Sequence, residues 1–506
     1  MRKTFTLSMT FLHTWGGLVF GWLLFMVLLT GSIAVFAGEL TYWLTPEIRG
    51  GLRPDAVRSM QIGEDYLRAH APTSRLWRVT LPTSREPALK VTWKELGEGS
   101  KKLDPETGAE IVRKTEGGSF FLQVHEDFHS NRDKNPTGFF LVCLAGMAML
   151  VASVSGIVVH KRIFKDLFLF RPKTSPHRAW LDAHNVFGVL ALPFHMMMAF
   201  TGILLLYWLF LPSAAPVVYP GGNSEFRREA NAQDYRQVKG EAGDPAPTAP
   251  LKFYVDKAES LFGAGRTAYL YVRDPGRTNA VVEVYRERTE RVSQQVDQIA
   301  MDRNGTVIRS LLIKEKTPLF RLQSFVASWH WIEWGGNLAR WFYFLAGLMG
   351  AAVTAAGLVV FTAKRRKGAE GQAWFRIVEA VNVAAVAGAC IASVAFFWAE
   401  RLTPVEAAAR DDIPVQAFWV VWAAALVHAA LRPARQAWVE QLALTALLCL
   451  GAPFLQGLVF RDLATADWVR IAVDATFIAG GLCFALAAWK VRTPSFAATL
   501  PARREA

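Results

Sequence analysis

Histidines recur at matched places along this chain. His13 opens the run His13-Thr14-Trp15-Gly16-Gly17 and stands as far before Thr30-Gly31 as His184, in His184-Asn185-Val186-Phe187-Gly188, stands before Thr201-Gly202. A second match pairs Leu144-Ala145-Gly146 and Gly156-Ile157-Val158-Val159 with Leu345-Ala346-Gly347 and Gly357-Leu358-Val359-Val360. Carried back along the chain, that match sets His129 on His330. Two pairs of histidines thus flank apolar stretches of a duplicated unit. An imidazole beside a bilayer is costly unless it binds something. Haem iron, held between paired histidines, is the tenant that fits this pattern.

The other histidines compete for the same chemistry. His125 lies one helical turn before His129 and faces the same side; it can replace His129 as a ligand, or line a substrate site with Glu126 and Asp127. His195 follows His184 by about three turns, roughly 16 Å along a straight helix, so the two would share one face. Leu24 takes its place in the first repeat, and a buried histidine bonded to a neighbouring helix is the plainer reading. His160 closes an apolar span level with His13 and His184 and competes as a ligand, although Phe361 stands at its place in the other repeat. Gly17 and Gly188, one turn beyond His13 and His184, leave room for a flat porphyrin or simply for close helix packing. Met196, Met197 and Met198 read as packing, and His70, His177 and His428 as structural or surface residues. Trp329, Trp331, Trp334 and Trp341 form either an interfacial belt or a wall beside His330. Arg171, Lys173 and Arg178 signal orientation and can also meet haem propionates.

The elements that position these residues are mostly membrane spans. The 506-residue chain is 52% hydrophobic, with 18 Trp and 34 Phe, and its mean hydropathy is +0.20. That is a membrane composition with polar inserts. A spanning helix needs about 20 apolar residues, which places eight spans near 11–38, 138–161, 184–211, 338–363, 376–398, 414–431, 437–460 and 468–490. The net charge of +13 comes from Lys and Arg beside the spans rather than from a nucleic-acid-binding arm. Their distribution puts both termini in the cytoplasm.

The expected organisation is a first helix over 1–38, a periplasmic insert over 39–137, the second and third helices with a cytoplasmic loop over 138–211, a second insert over 212–337, a fourth helix over 338–363 and four further helices over 364–506. Each insert reads as a helix followed by strands, over 56–69 and 75–92 in the first and over 253–262, 268–272 and 280–285 in the second. Asp104-Pro105-Glu106-Thr107-Gly108 and Asp302-Arg303-Asn304-Gly305 read as turns, and 219–250 as a flexible linker. The fold class expected is therefore mainly α, polytopic, with two extracytoplasmic α+β domains and an internal helix–insert–helix duplication. The N-terminal apolar run is too long for a secretory leader and carries the His/Gly pattern, so it reads as a retained span. Cys143, Cys390, Cys449 and Cys483 all lie in apolar stretches without CxxCH or zinc spacing, so any haem is of the non-covalent b type.

Leu12-His13-x-Trp15-x-Gly17 with its later Thr-Gly, Val124-His125-Glu126-Asp127, Asp182-Ala183-His184-Asn185-Val186-x-Gly188 and the Asp-x-x-x-Gly turns resemble the PepSY-associated transmembrane family over residues 5–365. The resemblance implies two b haems between transmembrane helices and PepSY domains outside. It also implies the activity of an inner-membrane reductase of ferric iron or ferrisiderophores in a Gram-negative bacterium. The last four spans fall outside it.

No GxGxxG follows a strand and no P-loop occurs, so electrons must come from a cytoplasmic reductase or from membrane quinol. No hydrolase constellation is present. The alternative expectation is a non-enzymatic membrane protein that regulates a peptidase or assists siderophore or metal import.

Overall fold

The computed structural model describes residues 2–45, 48, 55–83, 85–94, 99–111, 120–121, 123–125, 136–160, 176–206, 214–231, 243–288, 291–332, 334–404, 406–459 and 467–493. In chain order the elements are α1 (Arg2–Ala34), α2 (Ala37–Leu44), α3 (Ala56–His70), β1 (Leu76–Thr80), β2 (Leu89–Lys94), β3 (Gly99–Leu103), β4 (Glu110–Ile111), α4 (Pro136–Val159), α5 (Pro176–Leu190) and α6 (Leu192–Leu205). There follow α7 (Ala214–Val218), α8 (Gly222–Asn231), α9 (Leu251–Phe262), β5 (Thr267–Arg273), β6 (Val281–Arg286), β7 (Gln298–Asp302), β8 (Val307–Leu311), α10 (Pro318–Trp331) and α11 (Gly336–Ala369). The chain closes with α12 (Ala373–Leu402), α13 (Asp412–Leu431), α14 (Ala434–Val459) and α15 (Trp468–Arg492). Two units divide these elements: residues 1–44, 114–203 and 341–506 make a helical unit, and residues 45–113 and 204–340 an insert unit.

Among the described residues, α1, α4, α11, α12, α13, α14 and α15 are long and apolar enough to cross a membrane. The chain is therefore a multi-pass membrane protein. The straight helix expected over 184–211 is instead two arms, α5 and α6, bent by 62° at Ala191; counted as one span they bring the total to eight. Pro193 explains the break, because it has no N–H to give and its ring blocks a continuous turn. His184 and His195 consequently lie on different arms, which overturns the expectation that they share one face of one straight helix.

Helix α12 lies at the centre of the helical unit, with 89% of its most apolar stretch buried. Small residues allow that: a Cβ built on Gly388 would sit 2.8 Å from the Ala425 Cβ. The helix widens into a π turn at Ala384–Gly388, where the Ala384 carbonyl accepts from Trp422 Nε1 at 2.9 Å. Asn382, buried beside that turn, accepts from Trp22 Nε1 on α1 at 2.7 Å and donates to the Leu358 carbonyl on α11 at 3.2 Å. The two Asn382 bonds fasten α12 to α1, which carries His13, and to α11.

The insert unit is built on one antiparallel sheet of order β4-β3-β2-β1-β5-β6-β7-β8. Each insert supplies a helix and then four strands, and the two sets join where β1 pairs with β5, from Leu76↔Arg273 to Thr80↔Tyr269. Alternation along the strands turns Trp77, Val79, Val91, Leu270, Val272, Val282 and Val284 into one core with α3 and α9. Gly63 lets α3 approach, since an added Cβ would stand 2.9 Å from Val79 Cγ1. Glu64 on α3 accepts from the Leu251 backbone N–H at the start of α9 at 2.9 Å and pairs with Arg68 at 2.6 Å. Asp104 and Asp302 form the expected turns, Asp104 accepting from the Glu106 and Thr107 N–H groups and Asp302 from those of Asn304 and Thr306, with Gly108 and Gly305 at positive φ. The linker expected over 219–250 is only partly loop, because Gly222–Asn231 is helical.

Candidate functional site

His13 and His184 meet inside the helical unit. Their ring centroids are 6.0 Å apart with the planes at 77°. Helix α1 packs along α4, and the His13 Nδ1 lies 2.9 Å from the Ala152 carbonyl of α4. In the other half the His184 Nδ1 lies 2.8 Å from the Val353 carbonyl of α11. A carbonyl only accepts, so each Nδ1 carries the proton and each Nε2 keeps its lone pair. The same match that sets Gly156 on Gly357 sets Ala152 on Val353, so the two halves repeat one contact.

Glycine seats both rings. A Cβ built on Gly156 would be 3.2 Å from His13 Cε1, and one built on Gly357 would be 3.1 Å from His184 Cε1 and 3.2 Å from its Nδ1. The Nδ1–Cε1 edge of each ring is thus turned to the helix that anchors it, and the Nε2 edge is turned away. Ser155, buried on α4, adds a 3.3 Å contact to His13 Nδ1. Gly17 is open, with nothing within 4 Å of a built Cβ, whereas Gly188 is a packing site 3.2 Å from Val353 Cγ2.

This geometry fits an iron porphyrin. A metal–imidazole bond of about 2 Å places each ring centre about 3 Å from the metal, and hence the two centres about 6 Å apart across it. A ligating histidine also normally donates its second nitrogen to a carbonyl or carboxylate, which fixes tautomer and orientation. Both rings have that support. Among the described residues no group of three or more His, Cys, Asp or Glu could hold a metal ion; an axial pair needs only two.

His160 follows the last residue of α4, one turn beyond Gly156 on the face that seats His13. Among the described residues its Nε2 is buried without a hydrogen-bond partner. Phe361, at the corresponding place on α11, is buried under Trp15 and Arg365, with the Arg365 Cζ 3.7 Å from its ring centre.

His125 and His195 gather at the other half of α1. The His125 ring lies against Gly31, where a built Cβ would be 2.9 Å from Cε1, and its Nδ1 is 3.4 Å from Thr30 Oγ1. His195 is 4% exposed and gives Nε2 to the Ala346 carbonyl at 3.2 Å. Its ring abuts Gly350, whose built Cβ would also touch Leu28 of α1 at 3.1 Å. Leu28 and Gly31 are neighbours on α1, so His125 and the Gly350 seat of His195 face that helix within one turn of each other.

His330 is in the insert unit, in the last turn of α10, where Trp329 packs edge-on to Trp334 at 4.8 Å and Trp334 donates to the Ser328 carbonyl at 2.9 Å. His129, Glu126, Asp127, Arg171 and Lys173 lie outside the described residues. Arg178 is engaged by buried Asp182 at 3.2 Å. The other histidines have ordinary roles: His70 stacks on Tyr66 at 4.0 Å and His428 pairs with Glu440 at 2.8 Å. Sequence reasoning missed Ala152, Val353 and Ser155 as anchors, because a backbone carbonyl carries no residue-type signal. Gly156 and Gly357 were visible only as markers of the repeat, not as seats for imidazole.

A family model described as the PepSY-associated TM region matches residues 10–364. The chain is also 25% identical over 318 residues to the uncharacterized protein PA4219 of Pseudomonas aeruginosa, covering 58% of this chain and 76% of that one.

Proposed function

Because the chain belongs to the PepSY-associated TM family, we propose that it is a b-type dihaem oxidoreductase of a bacterial inner membrane that reduces periplasmic ferric iron or ferrisiderophore. The observation that carries this reading is the His13–His184 pair, 6.0 Å between ring centres, with each Nδ1 tied to a carbonyl of the neighbouring helix. Haem iron, when bound there, supplies a one-electron carrier inside the lipid.

The residues of the chain do the positioning. Ala152 and Val353 fix the tautomer of their histidines and hold both rings so that no reorganisation is needed. Gly156 and Gly357 let the rings lie close to the helix backbone. His125 and His195 are the proposed ligands of a second haem nearer the outer face. His195 uses Nε2 on Ala346, so its ligating atom would be Nδ1. In this orientation both termini are cytoplasmic and the insert unit is periplasmic, consistent with Lys364, Arg365, Arg366 and Lys367 at the end of α11.

The reaction is a one-electron reduction. The ferric complex gains an electron, and a cytoplasmic reductase or a membrane quinol loses one. Hard oxygen ligands hold the ferrous ion less firmly, so reduction frees the metal. The test is spectroscopic. Protein purified in detergent after expression with ample haem should show a b-type Soret band, and its reduced form should reoxidise stoichiometrically when ferrisiderophore is added without oxygen. A colourless protein under those conditions would overturn the reading and favour a non-enzymatic role in peptidase control or metal import.

A further inference from the structure

The two halves differ most where His160 faces Phe361. In the second half the position is closed: Phe361 is 5% exposed, met edge-on by Trp15 at 5.4 Å and covered by Arg365. In the first half the same position presents an imidazole nitrogen, buried and without a partner among the described residues. A buried polar nitrogen left unpaired costs about 1–3 kcal/mol, so an apolar residue there, as in the other half, would be favoured unless something bonds to it. Its backbone N–H is already spent on the Gly156 carbonyl at 2.8 Å. The side chain therefore serves something other than the end of the helix.

Three facts fix where that partner lies. His160 is one turn beyond Gly156, the residue against which the His13 ring rests. The His13 ring in turn has its centre 6.0 Å from that of His184. His160 stands at the end of α4, and Lys161 and Arg162 follow it in sequence. A porphyrin between His13 and His184 has one polar edge, bearing two carboxylates, and that edge must face the end of the bundle, since a carboxylate deeper in the lipid would be unsolvated.

We propose that His160 donates a hydrogen bond from Nε2 to a carboxylate of the porphyrin held by His13 and His184, and so sets the reduction potential of that centre without ligating it. This rests on the haem reading above. A donor at the carboxylate weakens its negative field at the iron and so favours the ferrous state. Removing the donor lowers the potential.

The test uses the full-length protein in detergent and two variants. His160→Phe copies the other half and keeps volume; His160→Gln keeps a donor. Potentiometric titration of the Soret band is the readout, with haem content and low-spin absorption measured on the same samples. His160→Phe should keep both haems six-coordinate yet lower the ferrous-to-ferric ratio of one centre about three- to tenfold at fixed potential, tenfold being 59 mV for one electron. His160→Gln should restore most of that shift. Three outcomes overturn the proposal. An unchanged potential in His160→Phe means the nitrogen meets only water. Loss of one haem or of low-spin character in both variants means His160 is an axial ligand. A shift of equal size in both variants means packing rather than donation is responsible. Failure of the underlying reading is distinct, because then the unaltered protein carries no haem.

Discussion

Gly357→Ala is the sharpest probe of how the paired histidines are held. The added Cβ would stand 3.1 Å from His184 Cε1 and 3.2 Å from Nδ1. Ordinary carbon contacts begin near 3.4 Å, so the ring must retreat by about 0.3 Å. Metal–ligand distances tolerate only about 0.2 Å, and the retreat also strains the 2.8 Å bond to Val353. Alanine improves helix propensity by about 1 kcal/mol, so α11 itself is not weakened. Losing the outer support of a metal ligand typically costs 10–100-fold in affinity, and that is the expected rise in haem release from the variant. Gly480→Ala on α15, a helix without histidine, is the control, since its Cβ meets nothing within 4 Å. Release is measured by transfer of haem to excess apo-globin, followed in the Soret region. Wild-type release from Gly357→Ala, or equal loss from Gly480→Ala, would refute the argument that glycine seats the ring.

Other outcomes follow from the same contacts. His13→Ala and His184→Ala should each lose about one haem equivalent on purification; full retention by pyridine haemochrome assay would remove that residue from the ligand set. His125→Leu and His195→Leu should each lose the other equivalent and leave the His13–His184 centre spectrally intact. Glu64→Ala removes both the acceptor at the start of α9 and the partner of Arg68, and should destabilise the insert unit by about 1–3 kcal/mol, read by hydrogen exchange at strands β1 and β5. Asn382→Leu strands the Trp22 N–H and the Leu358 carbonyl at a similar cost of about 1–3 kcal/mol. A Trp22→Phe/Asn382→Leu double variant should be less than additive in thermal unfolding, because the pair shares one bond.

Much of this architecture is legible in residue order. Apolar runs of spanning length locate α4, α12, α13, α14 and α15 within a few residues, and α1 and α11 more loosely, since both helices run on into polar sequence at one end; period-two alternation locates β1, β2, β5 and β6. The Asp-to-Gly turns are legible because glycine tolerates positive φ at Gly108 and Gly305. The His13–His184 encounter is legible because repetition implies a pseudo-twofold arrangement, and residues at matched places meet near its axis. Other features depend on tertiary context. Pro193 marks a break but not its 62° angle, so the relation of His184 to His195 cannot be taken from spacing alone. The partners of imidazole Nδ1 atoms are backbone carbonyls, identical in every residue. The burial of α12 leaves no compositional trace beyond its many alanines, since lipid and protein both favour apolar side chains.

The pairing of β1 with β5 constrains how the protein is made. Residues 76–80 leave the ribosome long before residues 267–273, and α4, α5 and α6 must enter the bilayer in between. At about 5–20 residues per second of synthesis, the interval is on the order of ten seconds or more. Throughout it the nascent first insert exposes an unpaired strand edge, the kind of template on which chains mispair. Biogenesis of this molecule therefore calls for shielding of that edge until the second insert has been synthesised.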